Sequence, residues 1–222
     1  GRQEKDLAVI TAAMSEGTGM EPFREAFPER FFDVGIAEQH AVTMAAGLAM
    51  GGMKPVVAIY SSFLQRAYDQ MLHDVALQRL HVVFAIDRAG LVGADGETHQ
   101  GVYDIAYCLT MPYVEIYSPA SKGELEEMLK MAVEGDVPAA VRYGKGALPD
   151  RVYPAVEYGK WIEIKPISNV TVVATGRMVE IAERAVENLD VGLVNARFIR
   201  PMDEDMLDMI KQKSSYVITI ED

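Results

Sequence analysis

The chain has 222 residues, of which 50% are hydrophobic and 24% are charged, so the composition excludes a disordered protein and predicts one or two domains with a sizeable core. Its 33 Asp and Glu residues outnumber 21 Lys and Arg residues, and the formal net charge of −12 argues against nonspecific binding to nucleic acid or to an anionic membrane surface. A single cysteine, Cys108, excludes an internal disulfide, and no apolar run forms a leader or approaches the roughly 18 residues of a membrane helix, so we expect a cytoplasmic protein.

The first 150 residues alternate short apolar runs with helical patterns, which is typical of a parallel α/β sheet. Strands are predicted at residues 7–10, 31–34, 55–60, 82–86, 114–117 and 139–143. Helices are predicted over residues 37–50, over 62–79 with one apolar face, before Leu109, and after the capping box Ser121–Glu124. We therefore expect an α/β fold whose parallel sheet is covered by helices on both faces.

A second unit follows residues 144–149, whose glycines and proline predict a linker. Strands are predicted at 171–174 and 191–195 with a helix between them, and Asp203 is predicted to cap a last helix. The sequence therefore predicts a domain at 1–148 and a second, smaller α/β domain at 149–222 that looks incomplete.

Both ends of the sequence indicate a fragment of a longer protein. Gly1 is not an initiator Met, and the last residue, Asp222, comes shortly after the apolar run 216–220. A buried strand normally leads into a loop and a further element, so we expect the natural polypeptide to continue. A complete chain with a processed N-terminus is the alternative.

Polar and glycine-rich residues follow four of the predicted strands. They occupy residues 35–40, 61–66 and 87–101, and Arg142 lies near the end of a fourth strand. Ligands of open parallel sheets bind beyond the carboxyl ends of the strands, so we expect these segments to surround one crevice. A carboxylate, an aromatic ring, three arginines and a histidine there suit an anionic, phosphorylated small molecule, because arginine offers paired donors to phosphate.

Most of these residues also have a plainer structural interpretation. Glu38 in a first helical turn can simply complement the helix dipole. Phe63 can be a core aromatic residue, Arg66 can pair with a neighbour on a solvated helix face, and Arg142 can be a charge on an edge strand. For each residue taken alone, both interpretations stay open.

The loop at 87–101 is harder to explain as a passive connection. It contains four glycines, three acidic residues, Arg88 and His99. Long loops on rigid sheets are where binding and catalysis concentrate. His99 alone can be an ordinary loop histidine, but the composition of the whole loop favours a functional site.

Three segments resemble the thiamine diphosphate enzymes of the transketolase superfamily. Residues 33–41, DVGIAEQHA, are similar to the segment that binds the aminopyrimidine ring of the cofactor. Residues 60–70, YSSFLQRAYDQ, and 87–101, DRAGLVGADGETHQG, more closely resemble the 1-deoxy-D-xylulose-5-phosphate synthase family, which opens the non-mevalonate isoprenoid pathway. The resemblance covers nearly all of residues 5–222 and implies a pyrimidine-binding domain followed by part of a C-terminal domain.

This resemblance implies an activity and a cofactor site. The implied reaction is the thiamine-diphosphate-dependent condensation of pyruvate with D-glyceraldehyde 3-phosphate, with loss of carbon dioxide. Glu38 is implied to hydrogen-bond N1′ of the aminopyrimidine, and Phe63 to stack on that ring with Arg66 beside them. Glu38 is thus a predicted catalytic residue, for which a carboxyl group is required.

The resemblance also implies a substrate site. Arg88 and Arg142 are implied to hold the phosphate of the aldehyde, with Tyr60, Arg66 and Asp95 helping to orient it. His99 is implied to lie near the reacting carbonyls as a hydrogen-bond donor or proton shuttle, which makes it the second predicted catalytic residue.

The cofactor's diphosphate and Mg²⁺ are implied to bind elsewhere. In the family, an N-terminal domain holds them through a Gly-Asp-Gly sequence and a downstream Asn, and no such sequence occurs here: Gly135 and Asp136 are followed by Val137. We therefore assign no metal ligand to this chain and expect the missing diphosphate-binding domain as a partner. We also expect a homodimer, no nucleic-acid or membrane partner, and little or no activity from the isolated chain.

Three alternative functions stay open. The chain can be the C-terminal subunit of a split transketolase, the β subunit of a 2-oxoacid dehydrogenase, or a non-catalytic regulatory subunit. The missing diphosphate-binding sequence favours the regulatory subunit. The joint presence of the candidate residues favours an enzyme, and the products formed from pyruvate or from ketose donors distinguish the enzymes.

Overall fold

The computed structural model describes residues 1–222 as two β-sheets with helices packed against them. Residues 1–148, the first unit, contain β1 (Leu7–Thr11), β2 (Phe31–Asp33), β3 (Lys54–Tyr60), β4 (Val83–Asp87), β5 (Glu115–Tyr117) and β6 (Ala139–Arg142). Residues 149–222, the second unit, contain β7 (Ile162–Lys165), β8 (Val170–Ala174), β9 (Gly192–Asn195), β10 (Phe198–Arg200) and β11 (Tyr216–Ile220). The α-helices are α1 (Glu21–Ala26), α2 (Glu38–Met50), α3 (Ser61–Leu64), α4 (Tyr68–Gln70), α5 (Asp104–Leu109), α6 (Lys122–Glu134), α7 (Met178–Val186) and α8 (Glu204–Lys213).

The first sheet has the strand order β10-β5-β6-β4-β3-β1-β2. Its neighbouring strands are parallel, except that β10 runs antiparallel to β5. The central strands β1, β3, β4 and β6 are buried along nearly their whole length, as in parallel sheets covered on both faces. The predicted α/β fold with a parallel sheet is confirmed.

Alternate residues of these strands fill two separate cores. Ile10 and Phe84 belong to the core beneath α2 and the helical segment 61–76. Val9 and Ala85 belong to a second core that also contains residues of α6 and of the second unit. The burial of both faces explains why these strands read as continuous apolar runs in the sequence.

The helical segment 61–76 is less regular than the sequence predicts. The apolar stripe indicates one helix over 62–79, but α3 is followed by a 3₁₀ turn at Gln65–Ala67, by α4 and by a π-helical stretch at Met71–Ala76. The prediction of a single regular helix is therefore wrong. Apolar residues spaced by three or four positions can be buried by α, 3₁₀ or π turns alike. The apolar stripe therefore identifies the buried side of the segment but not its helix type.

The second unit forms a smaller sheet with the strand order β11-β8-β9-β7, in which β7 alone is antiparallel to its neighbour. Asp203 accepts a hydrogen bond from Met206 N at 3.2 Å, which confirms the predicted cap of α8. Two features join this unit to the first: β10 extends the first sheet, and Trp161 lies in the second core. The boundary at 148/149 stays a prediction.

No helix is both long enough and apolar enough to cross a lipid bilayer.

Candidate functional site

The candidate residues emerge from one edge of the first sheet. The strand register pairs Tyr60 with Asp87, the last residues of β3 and β4, and pairs Thr11 with Asp33, the last residues of β1 and β2. The neighbouring strand β6 ends at Arg142. The segments that follow these strands therefore start beside one another, as the parallel topology predicts.

The turn between β2 and α2 brings Glu38 to this edge. Asp33 Oδ1 accepts hydrogen bonds from Ala13 N at 2.8 Å and from Gly35 N at 3.0 Å, and Gly35 adopts a left-handed φ of 70°. The helix then begins at Glu38, whose residue is only 2% exposed. A carboxylate is thus held in the first turn of α2, where the helix dipole favours a negative charge.

Glu38 has one partner in the protein. Its Oε1 accepts a hydrogen bond from Arg66 Nη1 at 2.9 Å, and this is the only hydrogen bond that the carboxylate accepts. The Arg66 guanidinium in turn lies 5.3 Å from the centre of the Phe63 ring. One carboxylate oxygen is therefore fixed, while Oε2 is left for another donor.

Aromatic rings line the site beside this ion pair. The Phe63 and Tyr60 rings are stacked, with centres 5.8 Å apart and an angle of 28° between their planes. The His99 imidazole meets Phe63 edge-on at 5.0 Å. The structure thus brings the predicted cofactor residues and His99 into one cluster.

Arg88 also packs on the Tyr60 ring. Its guanidinium lies 3.7 Å from the centre of the Tyr60 ring, donates from Nε to Asp95 Oδ2 at 3.0 Å and donates from Nη1 to Gly17 O at 3.1 Å. Nη2 donates to no protein group. Arg88 therefore has a fixed position and retains two N–H donors for an anion.

Two carboxylates beside Arg88 differ in acidity. Burial raises the pKa of Asp87 to about 6, although the Arg88 charge opposes this shift. The pKa of Asp95 is lowered, first by its hydrogen bond with Lys145 and further by that with Arg88, against the effect of desolvation. Asp95 therefore stays ionised between two cations, whereas Asp87 titrates in mildly acidic solution.

Arg142 is buried and paired with acidic and hydroxyl groups of the protein. It is 2% exposed and donates to Asp104 Oδ2 at 3.0 Å, to Ser118 Oγ at 3.3 Å and to Asp222 Oδ1 at 3.4 Å. Burial lowers the pKa of Arg142, but the Asp104 and Asp222 charges outweigh it, so the net shift is upward. Because β6 lies inside the sheet, the interpretation as an edge-strand charge is wrong; a contact with phosphate stays a prediction.

Three residues of this region escaped the sequence analysis. Gly17 supplies a carbonyl to Arg88, and a Cβ at this position would overlap the Tyr60 hydroxyl. Asp104 pairs with Arg142, and Lys145, in the predicted linker, pairs with Asp95. Gly17 follows the end of β1 in a Gly-Thr-Gly sequence, so applying the strand-end rule to that strand would have found it.

The donor set suits a planar, nitrogen-containing ring better than a metal ion. No group of three His, Cys, Asp or Glu side chains is arranged to hold a metal. In contrast, Glu38 Oε2 lacks a partner, the buried hydroxyls of Ser61 and Ser62 make no hydrogen bond, and the Phe63 ring lies nearby. The residues therefore fit the aminopyrimidine of thiamine diphosphate.

Family models match both units of the chain. The model described as "Transketolase, pyrimidine binding domain" matches residues 1–151, and "Transketolase, C-terminal domain" matches residues 159–222. The match to the pyrimidine-binding domain includes all the candidate site residues.

Curated relatives are similar over the whole chain. The 1-deoxy-D-xylulose-5-phosphate synthase of Clostridium kluyveri is 50% identical over 230 residues, which cover 100% of this chain and 36% of the relative. The enzyme of the same name from Clostridium tetani is 51% identical and covers 99% of this chain and 37% of the relative. The chain thus spans little more than a third of the length of these relatives.

Solved structures share the fold. A structure titled "Split gene transketolase, inactive beta4 tetramer" has a TM-score of 0.89 and 30% identity, with 100% of this chain and 75% of that chain covered. A transketolase from Pichia stipitis has a TM-score of 0.85 over 97% of this chain and 36% of that chain; at 18% identity it supports the fold alone.

Proposed function

The chain belongs to the transketolase family, and from that premise we propose that it forms the pyrimidine-binding part of a thiamine-diphosphate-dependent 1-deoxy-D-xylulose-5-phosphate synthase. The proposed reaction condenses pyruvate with D-glyceraldehyde 3-phosphate and releases carbon dioxide. The observation that carries this proposal is the buried Glu38 carboxylate, which has one oxygen without a partner and the other fixed by Arg66, whose guanidinium lies 5.3 Å from the centre of the Phe63 ring.

Glu38, Arg66 and Phe63 form the proposed cofactor site. When bound, thiamine diphosphate supplies the electron sink for the decarboxylation of pyruvate. Glu38 Oε2 holds and exchanges a proton at N1′ of the pyrimidine, while Arg66 keeps the carboxylate oriented through Oε1. Phe63 packs against the ring and excludes water from the carboxylate.

Arg88 is the proposed primary contact to the phosphate of the aldehyde. Its Nη2 donors are free, and Tyr60, Asp95 and Gly17 fix the rest of the guanidinium. Arg142 remains the second proposed contact, which requires that the phosphate replace its three hydrogen bonds to Asp222, of 3.3–3.4 Å.

His99, Tyr60 and Asp95 complete the proposed substrate site. His99 lies edge-on to Phe63, where it donates a proton or hydrogen bond to the carbonyl oxygen of the acceptor. Tyr60 and Asp95 orient the acceptor beside Arg88. The substrate site is therefore next to the cofactor site along the same sheet edge.

The remaining parts of the enzyme are proposed to come from outside residues 1–222. We propose that Mg²⁺ and the diphosphate are held by an additional domain. The greater length of the curated relatives supports this proposal. We further propose a cytoplasmic homodimer. The isolated chain is expected to show little or no turnover.

A product assay tests this function. The full-length protein is supplied with thiamine diphosphate and Mg²⁺, and then either with pyruvate and D-glyceraldehyde 3-phosphate or with a ketose phosphate donor. We expect release of carbon dioxide and formation of 1-deoxy-D-xylulose 5-phosphate from the first pair. Turnover of the ketose donor without use of pyruvate would contradict the proposal.

A subunit of a split transketolase is the second candidate. It is favoured by the solved split-gene protein, of which this chain covers 75% at 30% identity. The same assay distinguishes it when this chain is mixed with a separately encoded diphosphate-binding subunit, because a transketolase uses ketose donors.

A further inference from the structure

The segment 91–100 carries His99 and is held largely by its own hydrogen bonds. Val92 N donates to Gln100 Oε1 at 2.9 Å, and Gln100 Nε2 donates to Gly96 O at 2.8 Å. His99 N also donates to Gly96 O, at 3.2 Å. These bonds give the segment an internal shape, but they do not fix it relative to the sheet.

Asp95 accepts the hydrogen bonds that connect this segment to residues outside it. Its Oδ2 accepts from Arg88 Nε, which belongs to the same loop, and its Oδ1 accepts from Lys145 Nζ. The Lys145 contact is the one hydrogen bond between residues 91–100 and any residue outside the loop 87–101. Apart from the packing of His99 against Phe63, a single lysine therefore makes the direct hydrogen bond between this part of the loop and the rest of the molecule.

The backbone that carries Lys145 is itself well anchored. Tyr143 O accepts from Ala89 N at 3.0 Å, and Lys145 O accepts from Arg177 Nη1 at 3.3 Å. A Cβ at Gly144 would lie 2.9 Å from Arg177 Cδ, so the chain passes close to the second unit at this point. Lys145 thus holds the loop from a position that is fixed by both units.

We propose that Lys145 is a positioning residue, which latches the segment 91–100 over the site by holding Asp95 jointly with Arg88. This inference rests on the proposed function, in which Asp95 and His99 orient and protonate the acceptor. The lowered pKa of Asp95 agrees with a carboxylate that stays ionised between two cations. Because Lys145 is also paired with Asp95, the Asp95 charge is balanced by two cations and not by Arg88 alone.

A direct contact between Lys145 and the substrate phosphate is the competing role. The Lys145 side chain is 39% exposed, so its ammonium retains N–H donors that a phosphate can contact. The two roles differ in their dependence on the phosphate: a latch serves every acceptor, whereas a phosphate ligand serves only phosphorylated ones. They also differ in their dependence on Asp95.

Steady-state kinetics of the full-length enzyme test the latch. Lys145→Met is compared with wild type, with Lys145→Arg and with Lys130→Met, a control at an exposed lysine whose ion-pair distance to Glu134 is 3.8 Å. Since a displacement of about 1 Å in a positioned group can cost about 100-fold, we expect Lys145→Met to lower kcat/KM about tenfold. The loss should be equal for D-glyceraldehyde 3-phosphate and for D-glyceraldehyde, and Lys145→Arg should restore most of it.

A double-mutant cycle gives the second readout. If Lys145 acts through Asp95, adding Lys145→Met to Asp95→Asn should produce no further loss. Fully additive losses, a loss confined to the phosphorylated acceptor, or activity equal to that of Lys130→Met would each overturn the proposal.

Hydrogen exchange measures the latch independently of turnover. In the cofactor-loaded full-length protein, Lys145→Met should speed exchange of the amides in 91–99 about fivefold, the upper range for loss of a partly exposed ion pair, while the strands of both sheets stay unchanged. Unchanged exchange in 91–99, or faster exchange throughout the second unit, would contradict the latch. Failure of the wild-type enzyme to form product would instead reject the proposed function, and the exchange experiment would still decide the role of Lys145.

Discussion

Glu38 combines burial, a single fixed oxygen and a position at the start of α2. A carboxylate in that setting can exchange a proton with a nitrogen base without losing its orientation. Glu38→Gln keeps the shape and the hydrogen-bond acceptor for Arg66 but removes the exchangeable proton. This one substitution therefore tests the proton-transfer role of Glu38 without changing the shape of the side chain.

We predict that Glu38→Gln in the full-length enzyme lowers kcat by about 10²–10⁴-fold, the usual contribution of a positioned acid or base. Thermal unfolding should show that the fold is retained. Turnover within a few fold of wild type would remove Glu38 from the mechanism.

Asp87 makes stability depend on pH. Burial raises its pKa from 3.8 to about 6, so the folded protein binds more protons than the unfolded chain between these values. The associated stability is fully present below pH 3.8 and is lost as the pH rises through about 6. A shift of this size corresponds to about 3 kcal/mol.

Replacing this carboxyl group by an amide should remove the effect. We predict that the free energy of unfolding of Asp87→Asn, relative to that of wild type, increases by up to about 3 kcal/mol between pH 4 and pH 7, because only the wild type loses stability over this range. Urea unfolding at several pH values measures this difference, with the exposed Asp208→Asn as the control. A difference that does not change with pH would contradict the assigned pKa.

The sequence grouped the predicted site residues correctly where a suitable residue type follows the end of a parallel strand. Glu38, Phe63 and Arg66 follow the ends of parallel strands, and the structure joins them. The burial of Arg142 could not be foreseen, because it depends on Asp104 and Asp222, which are distant in sequence. The resemblance to a known family suggested the role of each residue, but not its partners.

At the scale of the elements, the loop after β1 and the end of β3 fit together only because residue 17 is a glycine. A Cβ at Gly17 would overlap the Tyr60 hydroxyl, and the Tyr60 ring supports the Arg88 guanidinium. The contact therefore links the position of a turn to the position of Arg88, the proposed phosphate-binding arginine.

We predict that Gly17→Ala costs about 1–3 kcal/mol of stability, as expected for overpacking, and raises KM for D-glyceraldehyde 3-phosphate more than KM for pyruvate. The control is Gly47→Ala, in the open middle of α2, which should instead stabilise by about 0.5–1 kcal/mol. Equal effects of the two substitutions on stability and on KM would contradict the packing account.

The elements that the sequence predicted are those with a strong local pattern. The apolar strands of the first sheet and the capped helices α6 and α8 are present near their expected positions. In contrast, β7 and β10 were missed, since each is only three or four residues long and has at least one partly exposed face. Their formation depends on pairing with β9 and β5, which is tertiary information.

At the scale of the whole molecule, a buried ion pair joins the two units. Arg197 Nη1 lies 3.3 Å from Glu124 Oε1, and the same guanidinium donates to the carbonyls of Lys160, Pro154 and Ala155. Both side chains are almost fully buried. The division into 1–148 and 149–222 therefore does not describe two independent cores.

We predict that Arg197→Met destabilises the protein by about 3–5 kcal/mol, because it leaves the Glu124 charge buried without its cation. Adding Glu124→Gln should recover part of the loss, since the unpaired charge is then removed. Equilibrium unfolding in urea measures both variants. A loss below about 1 kcal/mol for Arg197→Met would show that the pair does not hold the units together.

The position of the cofactor ring tests the account most directly. A crystal structure of the full-length protein with thiamine diphosphate should place N1′ of the pyrimidine within about 2.6–3.2 Å of a Glu38 carboxylate oxygen, with the ring against Phe63. A pyrimidine bound elsewhere, with Glu38 still paired to Arg66 alone, would contradict it.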